Sequence, residues 1–375
     1  MQNHTPNDQA RLDDEQYDNA NFGNRIDDEA DGGHDTSHQH SDNEQVAADN
    51  GAQFHYKALT PDLILDAIES VGIYPETGLL ALNSYENRVY QFRCDRGQRY
   101  VVKFYRPERW TNLQIQEEHD YALALAEQEV PIAVPVNIEQ RTLHVYQGYR
   151  FALFPSIGGR AFEVDNLEQL ASTGRFIGRI HQFGQQQPFA HREALTPAIL
   201  GDASLMYLKQ SNRVAPSMQQ AFFTVAEQVL AATKAIWDKV EFTSIRLHGD
   251  LHPGNILWTP DGPGFVDLDD AKQGPAIQDI WMMLTGDRQQ QTLQLDILIE
   301  AYEEFADFDK RQLALIEPLR ALRMLHYNAW LAKRWQDPAF PMNFPWFGDV
   351  KYWEQQTLAF KEQLSALNEP SLTLF

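Results

Sequence analysis

A chain of 375 residues, 43% of them hydrophobic, is long enough for two or three structural units around a sizeable core. Its formal net charge of -22 argues against nucleic acid as a partner, and any nucleotide it holds must meet locally placed cations. No apolar run approaches the ~20 residues that span a bilayer, and a single cysteine, Cys94, excludes an intrachain disulfide; with no signal pattern at the polar N-terminus, a cytoplasmic protein without a membrane partner is expected.

Residues 1–55 form the first unit. Thirteen Asp and Glu stand against two Arg in residues 1–53, half of the whole net charge. Rich in Asn, Gln and Gly besides, the segment buries too little apolar surface to offset its ordering entropy, so a disordered acidic tail is expected. His4, His34, His38 and His40 in it offer at most weak metal chelation.

Folded structure is expected from residue 56. Thr60-Pro61 ahead of Leu63, Ile64, Ala67 and Ile68 predicts a capped amphipathic helix. Strand-like runs at 79–82, 88–93 and 100–105, separated by turn residues, predict an antiparallel sheet. Thr111 and Gln114 make a capping box, opening a helix whose inward face carries Ile115, Ala122 and Leu125. Glu118 falls on the same face, while Glu117 points away. A carboxylate there needs a cation, and Lys103 at the end of the preceding strand supplies one. Such a strand lysine and helix glutamate position nucleotide phosphates in kinases.

Runs at 133–136, 143–146 and 149–154 extend the sheet, and Pro155-Ser156-Ile157-Gly158-Gly159 breaks it. A hinge at that break sets backbone groups of Phe154 to Ile157 against an adenine ring. Beyond it the pattern turns helical, over 167–183, 217–240 and from 276 to the C-terminus. The expected fold is α+β and two-lobed, protein-kinase-like, with a small antiparallel-sheet N-lobe over 56–155 and a mostly helical C-lobe over 156–375.

The richest chemistry lies at 248–267. His248-Gly249-Asp250 followed by Asn255 matches the spacing of the His-Arg-Asp…Asn kinase loop, with Gly249 in place of Arg. Asp250 is the candidate base that orients an acceptor hydroxyl, and Asn255 a candidate metal ligand. The apolar run 256–258, a turn at 259–263 and Phe265-Val266 predict a hairpin that brings Asn255 and Asp267 to one metal ion. Asp267 is then the catalytic carboxylate that bridges Mg2+ to phosphate. His248 is expected to brace the loop, and Asp279 to cap the next helix or hold the loop's backbone. No glycine-rich nucleotide loop is present; Ser84-Tyr85-Glu86-Asn87-Arg88 takes its place, which leaves Ser84 and backbone N–H groups for the phosphates. Nor does an Ala-Pro-Glu segment follow Asp267.

Blocks at 82–92, 101–110, 247–257, 265–271 and 343–346 make the chain beyond residue ~55 resemble the stress response kinase A family, within the aminoglycoside, choline and homoserine kinase superfamily. The resemblance implies a monomeric, cytoplasmic kinase that phosphorylates protein Ser and Thr and counters envelope and oxidative stress. It also implies Asp250 as catalytic acid/base, Asn255 and Asp267 on Mg2+, and Ser84 on ATP. Leu251 and Pro253 stand where smaller residues are expected, without touching the loop's polar groups. Two other readings stay open. A small-molecule kinase would use the aromatic residues of 330–347 as a pocket wall; a non-catalytic ATP-binding scaffold should lack one of Asp250, Asn255, Asp267 or Lys103. If the acceptor is a protein, the acidic surface favours basic targets.

Overall fold

The computed structural model describes residues 55–374, so residues 1–54, and with them the predicted acidic tail and its histidines, lie outside the described residues. Helix α1 (Pro61–Glu69) starts as its sequence demands, with the Thr60 hydroxyl accepting from Leu63 N and proline in the first turn. Five strands follow around α2 (Asn112–Glu127): β1 (Leu80–Ala81), β2 (Arg88–Arg93), β3 (Arg99–Phe104), β4 (His144–Tyr146) and β5 (Tyr149–Pro155). They form one antiparallel sheet in the order β1-β2-β3-β5-β4.

The period-2 alternation of β3 decides what each face receives. Val102 and Phe104 turn to one side and pack with Ile64, Ala67 and Ile68 of α1. Lys103 and Tyr105 turn to the other, where Tyr105 packs with Ile115 of α2. Lys103 sits mid-sheet, between Val89 of β2 and Ala152 of β5.

Residues 133–136 form no strand. Pro131 and Pro135 remove donors that a ladder needs. The segment runs instead as a connector, with Ala133 N bonded to Phe265 O at 2.8 Å and Val136 N to Leu153 O at 2.7 Å.

Beyond β5 the chain is mostly helical: α3 (Leu167–Gly184), α4 (Ala203–Ser211), α5 (Gln219–Trp237), α6 (Gln278–Trp281), α7 (Arg288–Tyr302), α8 (Ile316–Arg334), α9 (Ala339–Asn343) and α10 (Val350–Ala366). The stretch from 276 onward is therefore a series of separate helices rather than one run. Helices α3 and α7 approach closely at Gly178, where a Cβ would stand 2.5 Å from Tyr302 O. Leu208, Phe222, Leu325 and Phe360 join α4, α5, α8 and α10 in a second core. Short strands link this lobe together: β6 (Arg160–Ala161), β8 (Ile256–Thr259) and β9 (Gly262–Phe265) form one sheet, and β7 (Ile245–Leu247) pairs with β10 (Lys272–Gly274). No helix among the described residues is long and apolar enough to cross a membrane.

Candidate active site

Strand β3 and helix α2 deliver the first pair. Lys103 Nζ lies 3.4 Å from Glu118 Oε1, 3.0 Å from Asp267 Oδ1 and 3.1 Å from Asp269 Oδ1. Burial works against the charged ammonium, but these three carboxylates outweigh it and hold its pKa well above the ordinary value. Burial dominates at Glu118 and raises its pKa, against the pull of Lys103 and Arg192. Arg192 reaches Glu118 Oε2 at 2.8 Å and stacks 4.7 Å from the Trp110 ring.

Glu117 does face away from that network, yet it is not idle. Its carboxylate accepts the backbone N–H groups of His191 at 2.9 Å and Arg192 at 2.8 Å, which fixes the loop that carries Arg192.

Next to Lys103, a buried ring is kept neutral. His119 is 0% exposed, between the Tyr105 hydroxyl at 2.7 Å and the Thr142 hydroxyl at 2.8 Å, and burial lowers its pKa to about 3. An unfolded histidine titrates near 6.5. As pH falls below about 6.5 the unfolded chain takes up a proton that the folded chain refuses until about pH 3, so stability is lost across that window. The single-site loss is on the order of 4 kcal/mol. His119→Gln should therefore lose less stability than the parent between pH 7 and pH 4 in urea titrations; parallel losses would exclude His119 as a source.

The hairpin forms. Residues Ile256 and Phe265 pair, as do Thr259 and Gly262, with Pro260 and Asp261 at the turn. Val266 N bonds Asn255 O at 3.1 Å, so Asn255 and Asp267 leave the open end of the ladder together. Asp267 is half-exposed and holds a left-handed conformation, φ 64°. Non-glycine residues accept that only when the surroundings enforce it. Asn255 donates from Nδ2 to Asp250 O at 2.9 Å, which leaves its amide oxygen for other partners.

Asp250 itself accepts from Arg323 of α8, NH1 to Oδ1 at 2.6 Å, with His252 Nε2 at 3.6 Å from Oδ2. Because His252 Nδ1 accepts from Gly254 N at 3.0 Å, the proton of the neutral ring sits on Nε2, toward Asp250. Burial tends to raise the Asp250 carboxyl, but Arg323 and His252 prevail and hold it well below the usual range.

The loop is braced from beneath. Asp279 accepts from His248 N at 2.7 Å and Gly249 N at 2.8 Å, and His248 Nε2 meets Val266 O at 3.0 Å. Gly249 has φ 86°, and a Cβ there would stand 2.1 Å from Asp270 O. No arginine fits the position.

Two further ionic knots escape sequence reasoning. Arg109 pairs with Asp269, with Asp270 at 2.9 Å and with Glu86 at 3.6 Å. Glu86, in the loop that replaces the glycine-rich one, also receives Arg334 NH2 at 2.6 Å, Trp330 Nε1 at 2.6 Å and Arg106 Nε at 3.2 Å. Asp337 holds Arg106 at 2.8 Å and Arg88 at 3.0 Å. Beside them Tyr85 packs on Phe344, ring centroids 4.9 Å apart. The acids at 267, 269 and 270 were a signal that cations must converge here; nothing local said which.

Ser84, half-buried between β1 and β2, makes none of these ion pairs, and neither do Phe154 and Ile157. Phe154 sits on β5 opposite Val101, Ser156 N bonds Arg99 O at 3.0 Å, and Ile157 packs beside Gly264. The break after β5 thus leads straight to the hairpin, where Arg160 and Ala161 pair with Trp258 and Leu257. Asp250, Asn255, Asp267, Lys103 and Glu118 are brought into one region by these contacts, with Ser84, Phe154 and Ile157 on the loop and hinge that flank it.

One amide oxygen and one exposed carboxylate suit a hard divalent cation that keeps waters and phosphate oxygens for its other positions. No group of three or more His, Cys, Asp and Glu that could hold a metal occurs among the described residues, so a cation here would share its shell with a phosphate.

Residues 78–316 match the phosphotransferase enzyme family, APH. Stress response kinase A of Shigella flexneri is 51% identical over 327 residues, 87% of this chain and 98% of that protein. Serine/threonine protein kinase RdoA of Salmonella typhimurium (strain LT2) is 49% identical, again over 87% of this chain and 98% of the relative. Among solved structures, amicoumacin kinase hAmiN in complex with AMP-PNP, Ca2+ and Ami is similar with a TM-score of 0.64 at 17% identity, covering 84% of this chain and 95% of that one. That likeness shows the fold: a sheet N-lobe and a helical C-lobe. With half of its residues shared along nearly the whole length of such relatives, and the loop and hairpin built as above, this chain is a kinase of the stress response kinase A family, within the phosphotransferase enzyme family.

Proposed function

We propose that the chain is an ATP-dependent serine/threonine protein kinase, which passes the γ-phosphoryl group of Mg-ATP to protein Ser and Thr hydroxyls as part of a stress response. The observation that carries this reading is the shared site of Asp250, Asn255, Asp267 and Lys103. In it, residues 56–155 act as the nucleotide lobe and 156–375 as the acceptor lobe.

Lys103, kept charged by Glu118 and Asp269, offers its ammonium to the phosphates once Asp267 turns to the metal. Asn255 and Asp267 hold Mg2+, which when bound neutralises charge on the transferring group. Ser84 and the loop backbone meet the phosphates, and the backbone of Phe154 to Ile157 meets the adenine. Asp250 orients the acceptor hydroxyl and takes its proton late, which suits a carboxyl of lowered pKa.

A polypeptide acceptor is favoured over a metabolite because most of the aromatic residues of 330–347 are engaged elsewhere: Phe340 and Phe347 are 0% exposed and Trp330 is bonded to Glu86, while Trp346 is 37% exposed. The name of the Salmonella relative points the same way. A cytoplasmic monomer belongs to the same reading: the single cysteine, Cys94, free and buried, accords with a reducing compartment, and the monomer is what the family resemblance implies.

Labelled ATP, Mg2+ and purified chain, with a cell extract in one series and a metabolite panel in another, test it. Label is expected on protein Ser and Thr; label confined to one metabolite would replace the reading with that of a small-molecule kinase.

A further inference from the structure

Although the chain carries a net charge of -22, a cation stands beside the candidate base: Arg323 NH1 lies 2.6 Å from Asp250 Oδ1. We propose that Arg323 is a specificity-determining residue that selects polypeptides with a carboxylate side chain beside the target hydroxyl. The proposal rests on the protein-kinase reading above and reverses the basic preference that overall charge alone suggests.

Arg323 differs from the other arginines of the site in what it leaves open. Arg106 and Arg192 are buried, Arg109 is mostly so, and each is spread over several acceptors. Arg323 is 41% exposed and makes one hydrogen bond among the described residues, from NH1 to Asp250. Its Nε and NH2 groups therefore have no hydrogen-bond partner among the described residues. A guanidinium edge with two parallel N–H groups is the geometry that binds a carboxylate bidentately.

The same contact makes binding and turnover interdependent. While Arg323 holds Asp250 Oδ1, that oxygen is engaged and less able to accept a hydroxyl. A substrate carboxylate on the other edge takes up part of the guanidinium's charge, which weakens the NH1 bond to Oδ1 and makes that oxygen a readier acceptor. An acidic neighbour thus seats the polypeptide and also frees the base, so it acts on kcat as well as KM. Long-range repulsion does not cancel this preference, because charges more than about 8 Å apart are screened at physiological salt while a contact pair is not.

The test uses the full chain with Mg2+ and AMP-PNP, and short peptide pools on one scaffold with Ala at the acceptor position and Glu, Gln or Lys beside it. By fluorescence anisotropy the Glu pool should bind about tenfold more tightly than the Lys pool. Arg323→Gln should bring the pools to within about twofold of one another, and Arg323→Lys, which keeps the charge and loses the fork, should fall between. Equal binding, or a Lys preference, by the parent chain overturns the proposal. So does a Glu preference that survives in Arg323→Gln. Ser versions of the pools then measure turnover: kcat should be highest beside Glu, and Arg323→Gln should remove the difference between the pools. Absence of label on every Ser pool would refute the protein-kinase reading by itself, while the Ala pools still report on Arg323.

Discussion

Asp250→Asn is expected to lower kcat by about 10³-fold and leave nucleotide binding within a few-fold of the parent. The amide keeps the shape of the side chain but cannot take a proton, and Asp250 lies outside the network of Lys103, Glu118, Asp267 and Asp269. Folding should survive, because the Arg323 that loses its ion pair is 41% exposed and such pairs contribute little. Steady-state phosphorylation together with calorimetric titration of the nucleotide checks both halves. Turnover above a tenth of the parent's would remove Asp250 from its role; a large loss of nucleotide affinity would make it part of the nucleotide site instead.

Gly249→Ala should act on the fold as much as on activity. Two penalties combine: a left-handed φ of 86°, which costs an L-residue roughly 1–2 kcal/mol, and a methyl group 2.1 Å from Asp270 O. The second cannot be relieved by a side-chain rotation, because the obstacle is backbone. A loss of about 4 kcal/mol is expected, with activity falling as the 269–270 turn moves away from Arg109. Gly97→Ala supplies the comparison: its φ is 78° but nothing lies within 4 Å, so strain alone remains, about 1 kcal/mol. Similar urea midpoints for the two variants would show that the approach to Asp270 O is not tight.

What could be read in advance depended on local periodicity. The pairing of Lys103 with Glu118 was legible because a period of 2 in β3 and 3.6 in α2 each name a facing residue. The capping box of Thr111 and Gln114 placed the start of α2 for the same reason. The hairpin after Asn255 was legible from its turn residues. Where local signal misled, chemistry explains it. Apolar alternation at 133–136 resembles a strand, yet its prolines leave too few donors for one. The ion pairs of Arg109, Arg192, Glu86 and Asp337 join elements far apart in the chain, and no pattern within a window of residues encodes such a meeting. These long-range ion pairs were illegible on that account.

The ion pairs that join residues 86–109 to 334–337 bear on dividing or recombining the chain. Glu86 and Arg334 are 248 positions apart, and Arg106 and Asp337 are 231 apart, with Asp337 only 2% exposed. A fragment ending at the break after β5 would keep Glu86 with Arg106 and Arg109 but lose Arg334 and Asp337; its complement would carry Asp337 without Arg88 and Arg106. Each half would thus carry an incomplete part of one shared ion-pair network. In a hybrid assembled from two family members, residues 84–88, 106–109 and 330–347 must therefore come from the same parent.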